Sequence, residues 1–198
     1  MKKLAIVLML MGVVAFSGTV AQAGFVNPVE NPGAAPFVCE FTGEQNLHDW
    51  AFDYSTPTLT MNETIRSTSL DPVLISGETD SDPIFTVVKT IQNASDITWT
   101  SYILSLSGGT GATFVEGSAS AGGNKLQTVN YIHPAAIEFT GLNPVAPGQL
   151  LTLSFDINVP TSGLFNFTLT QEPVPEPATM ALLGLGSLGL LFRRRARC

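Results

Sequence analysis

Residues 149–159 read QLLTLSFDINV. Leu151, Leu153, Phe155, Ile157 and Val159 fall on alternate positions, with Thr152, Ser154, Asp156 and Asn158 between them. Successive side chains of a β-strand point to opposite faces, so this period of two predicts a strand with one buried face. Residues 160–163 (PTSG) read as a turn. Residues 164–169 (LFNFTL) predict a return strand with Phe165, Phe167 and Leu169 on one side.

Working outward, residues 83–92 (PIFTVVKTIQ) and 98–106 (TWTSYILSL) predict another hairpin across 93–96 (NASD). Weaker strands are expected at 37–42, 47–54, 73–75, 112–115, 126–132 and 137–139. No stretch of the body holds a helical period for ten residues. Short strands punctuated by glycine and proline predict an all-β fold, a single antiparallel β-sandwich of immunoglobulin-like or jelly-roll-like type, over residues 37–172. Residues 24–36, rich in proline, read as an extended leader.

The chain has 198 residues and a formal net charge of −7, unevenly spread. Between Gly24 and Glu172 only Arg66, Lys89 and Lys125 are basic, against fifteen acidic residues, a net −12. Such a body repels nucleic acid and anionic lipid, which excludes a nucleic-acid partner. The two cysteines, Cys39 and Cys198, lie at opposite ends and build no disulfide framework. Cys39 reads as a small half-buried residue on a strand, and no role for Cys198 follows from its position.

Both ends read as addresses. Lys2 and Lys3 precede an apolar run at 4–16, and Ala21-Gln22-Ala23 supplies a small-x-small cleavage pattern. Residues 1–23 therefore read as a signal peptide forming an apolar helix, cut to leave Gly24 first, with the Sec translocon and signal peptidase as partners. At the other end, Ala178 to Phe192 carries no charge and is followed by Arg193, Arg194, Arg195 and Arg197. As a helix this run reaches about 22 Å, short of the roughly 30 Å of a bilayer core, so it spans the inner membrane only marginally and transiently. The arginines hold its end on the cytoplasmic side. Pro175-Glu176-Pro177 lies just outside, and the prolines keep the strip at 173–177 extended.

The ending resembles the PEP-CTERM sorting signal: Val-Pro-Glu-Pro-Ala at 174–178, a Gly- and Leu-rich span, then an arginine cluster, over residues 173–198. The resemblance implies recognition of Pro175, Glu176 and Pro177 by exosortase, a membrane cysteine transpeptidase or protease of Gram-negative bacteria. It also implies release of the tail and delivery to the cell surface or the exopolysaccharide matrix. The stretch VVKTIQNASDITWTSYILSLSG at 87–108 is similar to a segment common in PEP-CTERM cargo. There Asn93 would close a turn and Trp99 would cap the core.

Little in the body suggests chemistry. His48 and Asp49 adjoin, but neighbours on a strand face opposite ways, and both His48 and His133 read as surface or rim residues. Two histidines and one body cysteine do not furnish a four-ligand zinc site. Glu78, Asp80 and Asp82 share one predicted loop, where Asp80 and Asp82 are weak calcium candidates; a solvated acidic loop is the plainer reading, and no cofactor is expected. The Gly-rich stretches at 107–112 and 118–124 read as hairpin loops. Asn62-Glu63-Thr64, Asn93-Ala94-Ser95 and Asn166-Phe167-Thr168 match the glycan acceptor pattern and read as chance matches. Trp50, Phe52 and Tyr54 alternate on one face and could stack on sugar rings if exposed, or form a core row if buried. The expected function is that of a non-catalytic exported protein of the cell surface, exopolysaccharide or biofilm matrix; a carbohydrate-binding or adhesive module is the alternative.

Overall fold

The computed structural model describes residues 24–41 and 46–176. Those residues form twelve strands and no helix: β1 (Val38–Phe41), β2 (Leu47–Asp53), β3 (Thr58–Ile65), β4 (Asp71–Thr79), β5 (Ile84–Asn93), β6 (Trp99–Ser107), β7 (Thr113–Phe114), β8 (Ser120–Gly122), β9 (Thr128–His133), β10 (Ala136–Val145), β11 (Leu150–Asn158) and β12 (Gly163–Pro175). The first sheet runs β1-β4-β12-β6-β10-β9. The second runs β2-β3-β5-β11-β7, with β8 also pairing β11. One hydrophobic core draws on both sheets. The predicted signal-peptide helix and the membrane segment at 178–192 lie outside the described residues.

The alternation at 149–159 is realised residue by residue. Leu151, Leu153, Phe155, Ile157 and Val159 are fully buried, each worth about 1.5–3 kcal/mol of apolar transfer. They face Phe165, Phe167 and Leu169 of β12, which are buried from the opposite sheet.

Both predicted hairpins are corrected. β5 lies in the second sheet and β6 in the first; β11 and β12 are divided the same way. Each turn therefore carries the chain across the core. At the first of these corners Asn93 is fully buried. Its Nδ2 donates to the carbonyls of Ile97 and Val145, both at 2.9 Å, and its Oδ1 accepts from the Ser95 hydroxyl at 2.6 Å. These bonds replace the ladder a hairpin would have supplied.

The all-antiparallel expectation is corrected too. β3 and β5 pair in parallel, from Thr58↔Thr86 to Ile65↔Asn93. The chain leaves β3, crosses to the first sheet as β4 and returns as β5. Two crossings restore its direction.

Three local readings also change. The leader, read as extended, turns instead: the Glu30 and Asn31 amides donate to the Asn27 carbonyl and the Ala34 amide to that of Asn31. It is also fixed: Phe25 bridges to Thr79, and its ring meets Phe37, Phe52, Phe85 and Phe165 edge-on at 5.1–5.8 Å. The stretch at 118–124, read as a loop, contains β8, whose Gly122 lies opposite Thr152 of β11. The stretch at 107–112 is a crossing between sheets, not a hairpin loop.

Candidate functional site

The C-terminal end of β12 leads straight into the segment read as an address. β12 lies between β4 and β6, but its pairing with β4 stops at Gln171↔Asp71. Beyond that point it pairs with β6 alone, through Pro173↔Tyr102, Val174↔Ser101 and Pro175↔Trp99. Proline cannot donate to a ladder and is tolerated where one flank is open, which is where Pro173 and Pro175 sit. The Glu176 amide donates to the Thr98 carbonyl at 3.2 Å, and the Thr100 hydroxyl reaches the carbonyls of Val174 and Pro175 at 3.4 and 3.3 Å. The boundary drawn at 172 is thus crossed by a continuous strand. The strip is extended, as expected, but it is part of the sheet. The Glu176 side chain is exposed. Pro177, Ala178, Phe192 and the four arginines lie outside the described residues, as do Ala21 and Ala23.

Trp50, Phe52 and Tyr54 are half-buried and packed against the core. Phe52 stacks on Phe37 at 3.9 Å with an interplanar angle of 3°, and the Tyr54 hydroxyl accepts the Phe37 amide at 2.8 Å. Tyr54 lines a groove of about 350 Å³, shared with Gly24, Phe25, Asn31 and Asp80. Glu78 lies within β4 rather than in a loop. Its carboxylate accepts the Ala35 amide at 2.9 Å, while Asp80 accepts the Gly24 nitrogen at 2.5 Å and Asp82 is exposed. Glu78 and Asp80 tie down the leader, and no group of three metal-ligating side chains occurs among the described residues. His133 is exposed at the β9–β10 turn, where its Nδ1 accepts the Ala135 amide at 3.1 Å.

The polar chemistry of the molecule is instead inside the core. Glu63 on β3 and Lys89 on β5 occupy inward positions, in line with Leu59, Met61 and Ile65 on one strand and Phe85, Val87 and Ile91 on the other. Both side chains are 0% exposed and form an ion pair through Lys89 Nζ and Glu63 Oε1. The other partner of Nζ is Met61 Sδ at 3.6 Å, and Glu63 Oε2 has no hydrogen-bond partner. Across the core, Asp71 Oδ2 accepts Asn46 Nδ2 at 2.8 Å and Gln171 Nε2 at 3.2 Å, and Gln171 Oε1 accepts the Tyr102 hydroxyl at 2.8 Å. Gln171 and Tyr102 are fully buried.

His48 joins the two halves, which corrects its reading as a surface residue. Its side chain is 5% exposed, stacked on Phe41 at 3.9 Å and placed opposite Glu63 in the β2–β3 register. Asp49 does point away, as strand geometry requires, but the carboxylate His48 meets is Asp71, with Nε2–Oδ2 at 3.3 Å. That contact is not aligned as a hydrogen bond, and neither ring nitrogen has a hydrogen-bond partner among the described residues.

Burial lowers the His48 pKa against the opposing pull of Glu63 and Asp71, so the ring is neutral at pH 7. The same burial pushes Cys39 up to about 12, leaving an inert thiol. Burial first, then the carboxylates of Glu63 and Asp71, raises Tyr102 well above the ordinary phenol value. For His48 the unfolded chain takes up a proton before the folded one does. Its contribution to stability is complete above pH about 6.5 and is lost as pH falls through the depressed value. A melting series from about pH 8 to 5 should therefore show falling stability. His48→Phe, which keeps the ring against Phe41, should flatten that limb.

No curated protein and no solved structure matches the chain. Residues 173–195 do match a family model, that of the PEP-CTERM protein-sorting motif. The match begins at Pro173, inside β12, and takes in Pro175, Glu176 and Pro177. Such a motif implies an exosortase as processing partner, and export with membrane-associated sorting before display at the surface. The chain is a β-rich protein that carries a PEP-CTERM sorting motif on the end of a core strand.

Proposed function

We propose that the protein is a non-catalytic component of the cell surface, exopolysaccharide or biofilm matrix of a Gram-negative cell. A signal peptide takes it through the Sec translocon, the apolar run at 178–192 holds it briefly in the inner membrane, and exosortase removes the tail next to Pro175-Glu176-Pro177. The observation that carries this reading is the motif match at 173–195, which begins within the last strand of the β domain. Two features support it. Cleavage after Ala23 would turn the Gly24 nitrogen, already 2.5 Å from Asp80 Oδ1, into an ammonium paired with that carboxylate. The clustered polar groups Glu63, Asp71, Lys89 and Gln171 are buried in the core. The carbohydrate-binding alternative needs an open aromatic platform, and the half-buried packing of the row at 50–54 against the core favours the first reading over it.

Glu176→Ala tests the sorting step. The variant is expected to accumulate uncut in the membrane fraction, detected by a tag placed after Cys198 and by mass spectrometry of the mature C-terminus. Processing and delivery at the wild-type rate would refute the role of the motif. Glu176 is exposed, and among the described residues its hydrogen bond to the fold is made by its backbone amide, which alanine keeps, so the substitution is expected to leave the domain intact.

A further inference from the structure

We propose that Lys89 and Glu63 condense into an intramolecular amide, an isopeptide cross-link that ties β3 to β5. As ions the pair is poorly served. An ammonium offers three donors and a carboxylate about four acceptor sites, yet the two groups share one contact, Glu63 Oε2 is unpartnered, and the remaining contact of Nζ is a thioether. Both side chains are sealed from water. Holding two full charges there costs several kcal/mol per ion. Passing a proton from Lys89 to Glu63 removes both charges and leaves a neutral amine against a neutral carboxylic acid. That is a nucleophile beside its electrophile, held by two hydrogen-bonded strands in the register Met61↔Lys89 and Glu63↔Ile91.

The step balances within the pair. The Nζ lone pair forms a bond to Glu63 Cδ, one C–O bond breaks, and the departing oxygen leaves with two of the original ammonium protons as one water. No oxidant, metal or activating nucleotide takes part. Fixed proximity replaces the entropy of bringing the reactants together, an advantage that reaches about 10⁵–10⁸ M in effective concentration for well-oriented groups. Exclusion of water then disfavours the reverse hydrolysis. His48, opposite Glu63 and with both ring nitrogens unpartnered beside Asp71, is the group placed to relay the proton. The bond would close the loop between residues 63 and 89. That loop passes through β4 in the other sheet, so the cross-link would fix two neighbouring strands of one sheet and close a loop that visits the other, in a domain whose described cysteine, Cys39, is free.

The test is peptide mapping of the full-length wild-type chain, denatured and then digested with trypsin. The expected product is a branched species in which the peptide ending at Arg66 is joined to the one running from Ser67 through an uncut Lys89. It is lighter by one water than the two peptides together. Cleavage after Lys89, with the Glu63 peptide linear and at full mass, overturns the proposal. In Glu63→Ala the branched species should vanish; if it persists, the assigned acyl partner is wrong. The wild-type digest does not depend on how well any variant folds.

Discussion

Trp99→Ala is expected to lower the unfolding free energy by about 3–5 kcal/mol and to free the start of the sorting motif. Trp99 is fully buried, its ring 5.9 Å from that of Tyr102, and it opens β6 directly opposite Pro175. Its Nε1 has no hydrogen-bond partner, so the loss is one of packing and cavity, with no bond to forfeit. On either side of it, the Thr98 carbonyl and the Thr100 hydroxyl hold the backbone at 174–176. A cavity at this position removes the floor under the end of β12, where β6 is its sole partner strand among the described residues. Two measurements check it: the shift in denaturant midpoint, and limited proteolysis at 173–176, which should become faster than cleavage elsewhere. Proteases bind their targets as extended strands with free amide groups, and here the strand is extended but already paired. Release of these few residues from β6 must therefore precede any cut there, and Trp99→Ala should speed tail processing in cells that still fold enough of the protein. A change below about 1 kcal/mol would mean that the site collapses around the deletion.

What could be read from the sequence, and what could not, divides along a physical line. The strand at 149–159 was legible because its apolar residues keep one phase without interruption, and alternation is a local property. Its partner was not legible. A four-residue turn such as PTSG serves a hairpin or a crossing between sheets, and the choice is made by contacts distant in the chain. β12 was read as ending near Leu169 because Pro173 and Pro175 argue against a central strand. The sheet leaves those residues one open flank, a fact of pairing that no local pattern contains. β3 escaped notice for a different reason. In TLTMNETI the inward phase runs Leu59, Met61, Glu63, Ile65, and the glutamate breaks it. The same glutamate is half of the buried ion pair, so the missed strand and the missed cluster have one cause. The usable signal was a charge in an apolar phase, repeated at Lys89 in PIFTVVKTIQ and echoed by Gln171 after Phe165, Phe167 and Leu169. His48 could not have been matched with Asp71, which joins it from a strand of the opposite sheet.

Asp71→Leu is the second substitution with a large expected effect, a loss of about 2–5 kcal/mol. The carboxylate receives Gln171 and Asn46 and stands beside His48, so removing it strands donors that have no other acceptor among the described residues. Gln171 is the costliest of them, since it is fully buried and its other end is committed to the Tyr102 hydroxyl. Leucine fits the inward phase of β4 with Val73 and Ile75, so apolar burial is not what is lost. Asp71→Asn separates the two contributions. It keeps an acceptor oxygen for one amide but removes the negative charge that draws His48 toward protonation, so the histidine should resist the proton still more strongly. Equilibrium unfolding at neutral pH should rank the proteins wild type, Asp71→Asn, Asp71→Leu in falling stability. Adding Gln171→Leu to Asp71→Leu should recover part of the deficit, because the stranded amide goes with it and only the Tyr102 hydroxyl is left to satisfy. A double variant no better than the single one would show that the cost of Asp71→Leu comes from the shape of the core and not from unsatisfied donors.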